Sequence, residues 1–259
     1  MSGANDTLKN RLRRRAPLIG CWVRTPAPVV CELLGSTRLD TVCLDGEHGP
    51  FDRQALDGCL AMLRALGKPG LVRVASKQSH HILSALDAGA TGVVVPHVTS
   101  AADAETIAKA AHFGPGGRGY AGNTRWAALG TGTLAANLDR GRRETVAIAQ
   151  IEDVDGVEAI DAIAAVDGLD ALFIGRMDLT VALGHTDPDH PEVIDAVDHV
   201  CAAAQRTGRA LGMFVPRLDA VGRWLDRGIH FYLLSSDQAF IRAGAEALAQ
   251  DFHNQTGAG

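Results

Sequence analysis

Short runs of β-branched and other apolar residues recur along the chain, and longer Ala- and Leu-rich stretches with helical spacing separate them. The runs at 18–22, 41–45, 70–74, 92–96, 146–151, 171–175, 210–215 and 229–234 read as eight strands. Helical spacing follows at 27–36, 52–66, 79–88, 101–112, 154–166, 191–207, 217–227 and 237–250. Strand then helix, eight times over, predicts an α/β fold: a single (β/α)8 TIM barrel spanning 1–259. A doubly wound sheet uses fewer strands at this length and is the second choice. Helix starts agree with this phasing, since Thr99 and Ser100 precede Ala101 and Asp153 precedes Val154, each a suitable N-cap.

One connection breaks the rhythm. Residues 113–144 hold Gly114, Pro115, Gly116, Gly117 and Gly119, then Asn123, Arg125 and Trp126. An insertion of that size between the fourth and fifth strands is expected to be a lid or a subunit contact. It is not a phosphate-binding loop of the Walker type, because no Gly-Lys-Ser/Thr follows the glycines. Neither an internal repeat nor a low-complexity linker divides the chain.

Composition narrows the classes further. With 46% of its 259 residues hydrophobic the chain can bury a full core, which excludes a disordered protein. A formal net charge of −5 leaves no global basic field for a polyanion, so no nucleic acid partner is expected. No apolar run reaches the ~18 residues of a membrane span, and no apolar stretch of ~7 to 15 residues backs the basic N-terminal segment. A cytoplasmic protein without membrane contact is the expectation. The five cysteines are odd in number and lack Cys-x-x-Cys spacing, which suits buried free thiols better than disulfides or a zinc knuckle.

In such a barrel the chemistry sits at the C-terminal ends of the strands. Polar residues gather there: Asp45-Gly46-Glu47-His48 after the second strand, Arg73 in the third, Pro96-His97 after the fourth, Gln150 and Glu152 at the fifth, and Gly175-Arg176-Met177-Asp178 after the sixth. Glu152 and Asp178, on adjacent strands, would repel unless a cation lies between them, which predicts a divalent metal site. An all-oxygen ligand pair favours Mg²⁺, Mn²⁺ or Co²⁺ over structural zinc. His48 beside a metal is suited to proton abstraction next to a carbonyl, and Asp87, ending the third helix, is a candidate to fix its tautomer. Arg73 in an otherwise apolar strand requires an anionic partner. His97 is a weaker candidate for the site, and His80 and His81 open a helix as solvated or capping residues. Only Lys9, Lys68, Lys77 and Lys109 are lysines, none inside a predicted strand, so a Schiff-base aldolase is disfavoured, with Lys77 the one to watch.

Taken in order, Asp45-Gly46-Glu47-His48-Gly49-Pro50, Val72-Arg73-Val74, Leu86-Asp87-Ala88-Gly89-Ala90, Val95-Pro96, Gly114-Pro115-Gly116-Gly117-Arg118-Gly119, Gln150-Ile151-Glu152 and Gly175-Arg176-Met177-Asp178-Leu179-Thr180 resemble the metal-dependent pyruvate aldolases of the HpcH/HpaI aldolase/citrate lyase family. The resemblance covers about 20–237. It implies that Glu152 and Asp178 bind a divalent ion that chelates the keto oxygen and carboxylate of a pyruvate-like substrate. His48 paired with Asp87 would serve as acid/base, and Arg73 would steady the enolate oxygen. Gln150 and Asp45 would support this set, and backbone amides from Gly175 to Met177 would receive the carboxylate. Homo-oligomers, trimers or hexamers with sites near subunit boundaries, are implied as well. The sequence departs from the family in Arg176, where proline is usual, and in His97 after Val95-Pro96. Arg176 would clamp a second substrate carboxylate or point outward to a neighbouring subunit.

The function so implied is reversible cleavage of a 4-hydroxy-2-oxoacid to pyruvate and an aldehyde. Condensation of oxaloacetate with an acyl-CoA is the first alternative, and a non-catalytic metabolite-binding barrel the second.

Overall fold

The computed structural model describes residues 6–257; residues 1–5 and 258–259 of the expected domain lie outside the described residues. The chain begins with α1 (Leu8–Arg13), β1 (Leu18–Val23), α2 (Pro28–Gly35), β2 (Thr41–Asp45), α3 (Arg53–Ala65), β3 (Gly70–Arg73), α4 (Ser79–Asp87), β4 (Gly92–Val95) and α5 (Ala101–Ala111). It continues through α6 (Leu134–Glu144), β5 (Val146–Ile151), α7 (Val154–Glu158), α8 (Ile160–Ala165), β6 (Ala171–Ile174), α9 (Arg176–Ala182), α10 (Pro191–Thr207), β7 (Ala210–Val215), α11 (Val221–Leu225), β8 (Phe231–Ser236) and α12 (Asp237–Thr256). The eight strands close in sequence order, β1 pairing with β8, all parallel. The expected TIM barrel is therefore the fold.

Strand side chains alternate between two cores, as a period of two requires. Val42, Leu44, Val72, Val93 and Leu172 face the helices, while Cys43, Leu71, Val94, Ile148 and Phe173 fill the barrel interior. The same alternation continued one step toward the C-terminal ends puts Asp45, Arg73, Gln150 and Gly175 on the inward face. Register then pairs Asp45 directly with Arg73 across β2 and β3. All five cysteines are free and buried.

Several elements differ from the sequence reading. Residues 8–13, within the basic N-terminal segment, form a helix capped by Thr7, whose side chain accepts from Asn10 N. Its Leu8 and Leu12 close the lower end of the barrel interior. Lys9 lies buried there, 3.1 Å from Asp170 and 2.8 Å from the Thr145 carbonyl. The helix read over 154–166 breaks at Ala159 into α7 and α8. β8 starts two residues later than its apolar run, because Ile229 joins the outer core instead. Ser100 caps α5 as expected, whereas Asp153 at the start of α7 makes no capping bond.

The long insertion is not a lid over its own mouth. It follows α5, on the outer layer, and runs along the flank of the barrel. Trp126 N donates to the Asp87 carbonyl, and Arg125 holds Asp57 of α3 through two bonds of 3.0 and 2.6 Å. Among the described residues the last helix, α12, is joined to the body by its first turn, where Asp237 accepts from Arg24 N and Thr25 N at 3.0 Å each. Every described residue from Gln238 onward is exposed, including Phe240, Ile241, Leu248 and Phe252. No helix among the described residues is long and apolar enough to cross a membrane.

Lys9→Met leaves the Asp170 carboxylate buried without its nearest cation, and breaking such a pair is expected to cost about 3 kcal/mol. Equilibrium urea unfolding is the measurement, and an unchanged midpoint would contradict the role given to this pair.

Candidate active site

The mouth is organised around Asp45 and Arg73. The Arg73 guanidinium donates from Nε to Asp45 Oδ1 at 3.0 Å and from Nη2 to Oδ2 at 2.8 Å, a two-point match of planar fork and carboxylate. Its Nη1 reaches Glu47 at 3.0 Å, and its face lies 4.5 Å from the Trp22 ring centre. Arg24, just past β1, adds a third bond to Asp45 at 2.8 Å. Burial alone would push the Asp45 carboxyl up, but Arg73, Arg24 and the His48 N–H bring it below the usual carboxylate range. Glu47 goes the other way: burial raises its carboxyl despite Arg73. Asp45 also shapes the following loop, accepting from Glu47 N at 3.3 Å and His48 N at 3.1 Å. A Cβ on Gly49 would sit 2.4 Å from the Asp45 carbonyl, so the tight turn that presents His48 requires glycine.

Across the mouth stand β5 and β6. Glu152 is buried, and its Oε2 faces Gln150 Nε2, which donates to it, and Gly175. A Cβ on Gly175 would lie 2.5 Å from that oxygen, so only glycine admits the carboxylate there. Burial raises the Glu152 carboxyl, bonds from Gln150 and His97 N lower it, and the charge of Asp178 raises it again. Gln150 Oε1 is buried without a partner. A cavity of about 190 Å³ brings together His48, Arg73, Gln150, Met177 and Asp178 between Trp22 and Phe214. A larger cavity of about 540 Å³, beside Arg11, Asp40 and Lys68, lies at the other end of the strands, away from these groups.

The pairing of His48 with Asp87 is not made within the chain. α4 runs back along the outside of the barrel from β3 to β4, so its last residue faces away from the mouth. Asp87 accepts instead from Arg118 Nη2 at 2.6 Å and borders a separate cavity with Arg53, Gln54 and Thr124. The Arg176 guanidinium is buried, 5.0 Å from the Trp224 ring centre, in a residue that also lines the mouth cavity. Its Nη1 donates to Asp189 at 2.7 Å and to the Pro188 carbonyl at 3.1 Å, and Nε has no partner. Lys77 pairs with Asp103 at 2.8 Å and is well exposed, unlike a Schiff-base lysine.

Two residues carry more of the site than their sequence signal suggested. Glu47, part of the matched motif without an assigned role, lies between Arg73 and His97. His97 has φ of +56°, and its backbone N–H donates to Glu152 Oε1 at 2.9 Å. Its Nδ1 meets Asp153 at 3.0 Å, while Nε2 is 3.4 Å from Glu47. Burial opposes its protonation, but Asp153, Glu152 and Glu47 together raise its pKa. Arg24 belongs to a first strand end that the sequence reading did not include; a polar residue directly after β1 was the available signal.

The HpcH/HpaI aldolase/citrate lyase family model matches residues 18–243. A hydroxypyruvate/pyruvate aldolase of Pseudomonas aeruginosa is 32% identical over 248 residues, 95% of this chain and 92% of the relative. A 5-keto-4-deoxy-D-glucarate aldolase of Salmonella arizonae is 33% identical over 236 residues, 90% of this chain and 91% of the relative. Among solved structures, citrate synthase SbnG aligns with a TM-score of 0.86 and 27% identity, covering 98% of this chain and 99% of that one.

Asp45→Asn removes the carboxylate from a buried guanidinium and is expected to cost about 3 kcal/mol at neutral pH. Because the native Asp45 carboxyl lies below its unfolded value, its contribution is present above about pH 3.9 and lost as pH falls through the folded value. The stability gap between wild type and variant should therefore narrow in acid, as read by denaturant unfolding across pH. A gap that widens toward low pH would contradict the assignment.

Proposed function

Since the chain belongs to the HpcH/HpaI aldolase/citrate lyase family, we propose that it is a divalent-metal-dependent class II aldolase. The reaction is reversible cleavage of a 4-hydroxy-2-oxoacid to pyruvate and an aldehyde. One observation carries this reading: Asp178 lines one cavity with His48, Arg73, Gln150 and Gly175, and the buried Glu152 carboxylate stands against Gln150 and Gly175 of that lining. An oxygen-only pair, with Gln150 Oε1 buried and unpartnered beside it, fits a hard divalent ion such as Mg²⁺, Mn²⁺ or Co²⁺. When bound, the ion supplies a Lewis acid that polarises the substrate keto oxygen.

The residues of the chain do the rest. His48 takes the proton of the C4 hydroxyl as the C3–C4 bond breaks, the aldehyde leaves, and the electron pair moves into the enolate of pyruvate. Protonation at C3 completes the turnover. Arg73, held flat by Asp45, presents fixed positive charge where enolate charge develops, and being held in advance it need not reorganise. The backbone at Gly175, Arg176 and Met177 receives the substrate carboxylate.

A homo-oligomer, trimer or hexamer, fits the apolar surface left open on α12 and at Val29 and Leu33 of α2. Asp87 sits on the outer flank, so its proposed partnership with His48 requires the His48 of another subunit. The named activities of the relatives favour 2-oxoacid substrates, pyruvate or oxaloacetate, over other classes. Likeness to a citrate synthase supports a second reading, condensation of oxaloacetate with an acyl-CoA, in which the carbon next to the thioester loses a proton and adds to the keto carbon of oxaloacetate, and water then cleaves the thioester to free CoA. Thioester-dependent release of free CoA distinguishes it.

Pyruvate release from a 4-hydroxy-2-oxoacid is the test. Glu152→Ala should abolish both release and Mn²⁺ uptake by calorimetry; turnover that survives excess chelator would contradict the metal role. His48→Ala should retain Mn²⁺ affinity and lose ~10² to 10⁴-fold in rate, the usual contribution of a general acid/base. An unchanged rate would place the proton transfer elsewhere.

A further inference from the structure

We infer that Glu47, His97 and Glu152 form a second cation position at the mouth, with one nitrogen donor, suited to a borderline divalent ion such as Co²⁺ or Zn²⁺. It rests on the reading of Glu152 and Asp178 as the first position. The donor atoms of the three residues lie within 4.8 Å of one another, a spacing that a small adjustment brings to the ~2.0 to 2.2 Å ligand distances of such an ion.

Independent features of the backbone and side chains converge on it. His97 holds a left-handed conformation, with φ of +56°, that is uncommon for a residue bearing a Cβ. Its N–H is bonded to Glu152 and its Nδ1 to Asp153. Asp153 stands at the start of α7, yet its side chain caps no helix N–H and turns to the imidazole instead. A carboxylate behind a histidine is the arrangement that fixes the tautomer of a metal-bound imidazole. In the tautomer with Nδ1–H donating to Asp153, Nε2 offers a lone pair on the side of Glu47 Oε1, 3.4 Å away, and a cation between them would take both as ligands.

Glu152 is divided between the two positions. Its Oε2 points toward Gln150 and Gly175, and its Oε1 toward His97. Charge agrees with a bridging carboxylate. Asp45, Glu47, Glu152, Asp153 and Asp178 crowd the mouth, against the guanidiniums of Arg24 and Arg73. One divalent ion leaves the mouth negative, and an oxoacid substrate adds further negative charge. The competing arrangement is an imidazolium at His97 that supplies the positive charge itself and binds no ion.

The experiment is Co²⁺ titration of chelator-stripped, full-length protein, followed by equilibrium dialysis and by proton NMR of the Co²⁺ form. Comparison is with His97→Gly, which suits the left-handed backbone and should fold, and with Asp178→Ala. Wild type should bind one more Co²⁺ per chain than His97→Gly and show a paramagnetically shifted, exchangeable imidazole N–H that the variant lacks. Measuring the difference separates this position from the surface group of His185, His190 and Glu192, which both proteins share. Equal stoichiometry with no shifted N–H overturns the inference in favour of the imidazolium. Asp178→Ala should lose a different equivalent and keep the shifted N–H. If Asp178→Ala binds as much Co²⁺ as wild type while His97→Gly loses an equivalent, the second position stands and the first fails. No Co²⁺ bound by wild type overturns both.

Discussion

A guanidinium buried in the wall of the barrel is stable only against a carboxylate that matches its shape, and Arg73 meets that demand through Asp45 on the neighbouring strand. Much of the mouth follows from this pair. Asp45 fixes the start of the loop that carries Glu47 and His48, Arg24 is drawn in from β1, and Trp22 covers the guanidinium face. The pair sets the positive charge of the cavity in one place and orientation before any ligand arrives. Such preorganisation is what stabilises charge that appears only during a reaction.

On the facing strands the balance has the opposite sign. Among the described residues no arginine or lysine pairs with Glu152 or Asp178, and burial raises the Glu152 carboxyl. A barrel that places fixed cation on one side and uncompensated carboxylates on the other fits the metal ion and anionic oxoacid proposed to bind between them. Gly175 makes this possible sterically, because any side chain at that position would displace Glu152.

The order of strands and the inward residues at their C-terminal ends were legible in the sequence, since period-two alternation carries Asp45, Arg73, Gln150 and Gly175 to one face. Motif order alone does not place Asp87: a residue ending a helix lies on the outer flank, and the topology of α4 sets its carboxylate against Arg118. His97 was hard to weigh because its position depends on a left-handed backbone and on Asp153 forgoing a helix cap, neither of which leaves a pattern in residue types. α1 was read as a charged segment because its arginines mask the two leucines that close the barrel. The unpartnered length of α12 has no counterpart in local sequence either; apolar spacing looks the same whether a helix packs on its own barrel or on another subunit.

The central claim is that the mouth stabilises the enolate of pyruvate with a metal ion, independent of which electrophile follows. Solvent deuterium exchange at pyruvate C3, followed by NMR in chelator-stripped protein, tests it without knowledge of the aldehyde. Exchange is expected only after Mg²⁺, Mn²⁺ or Co²⁺ is restored. No exchange with any of the three, or exchange that persists at full rate under chelator, would contradict the account.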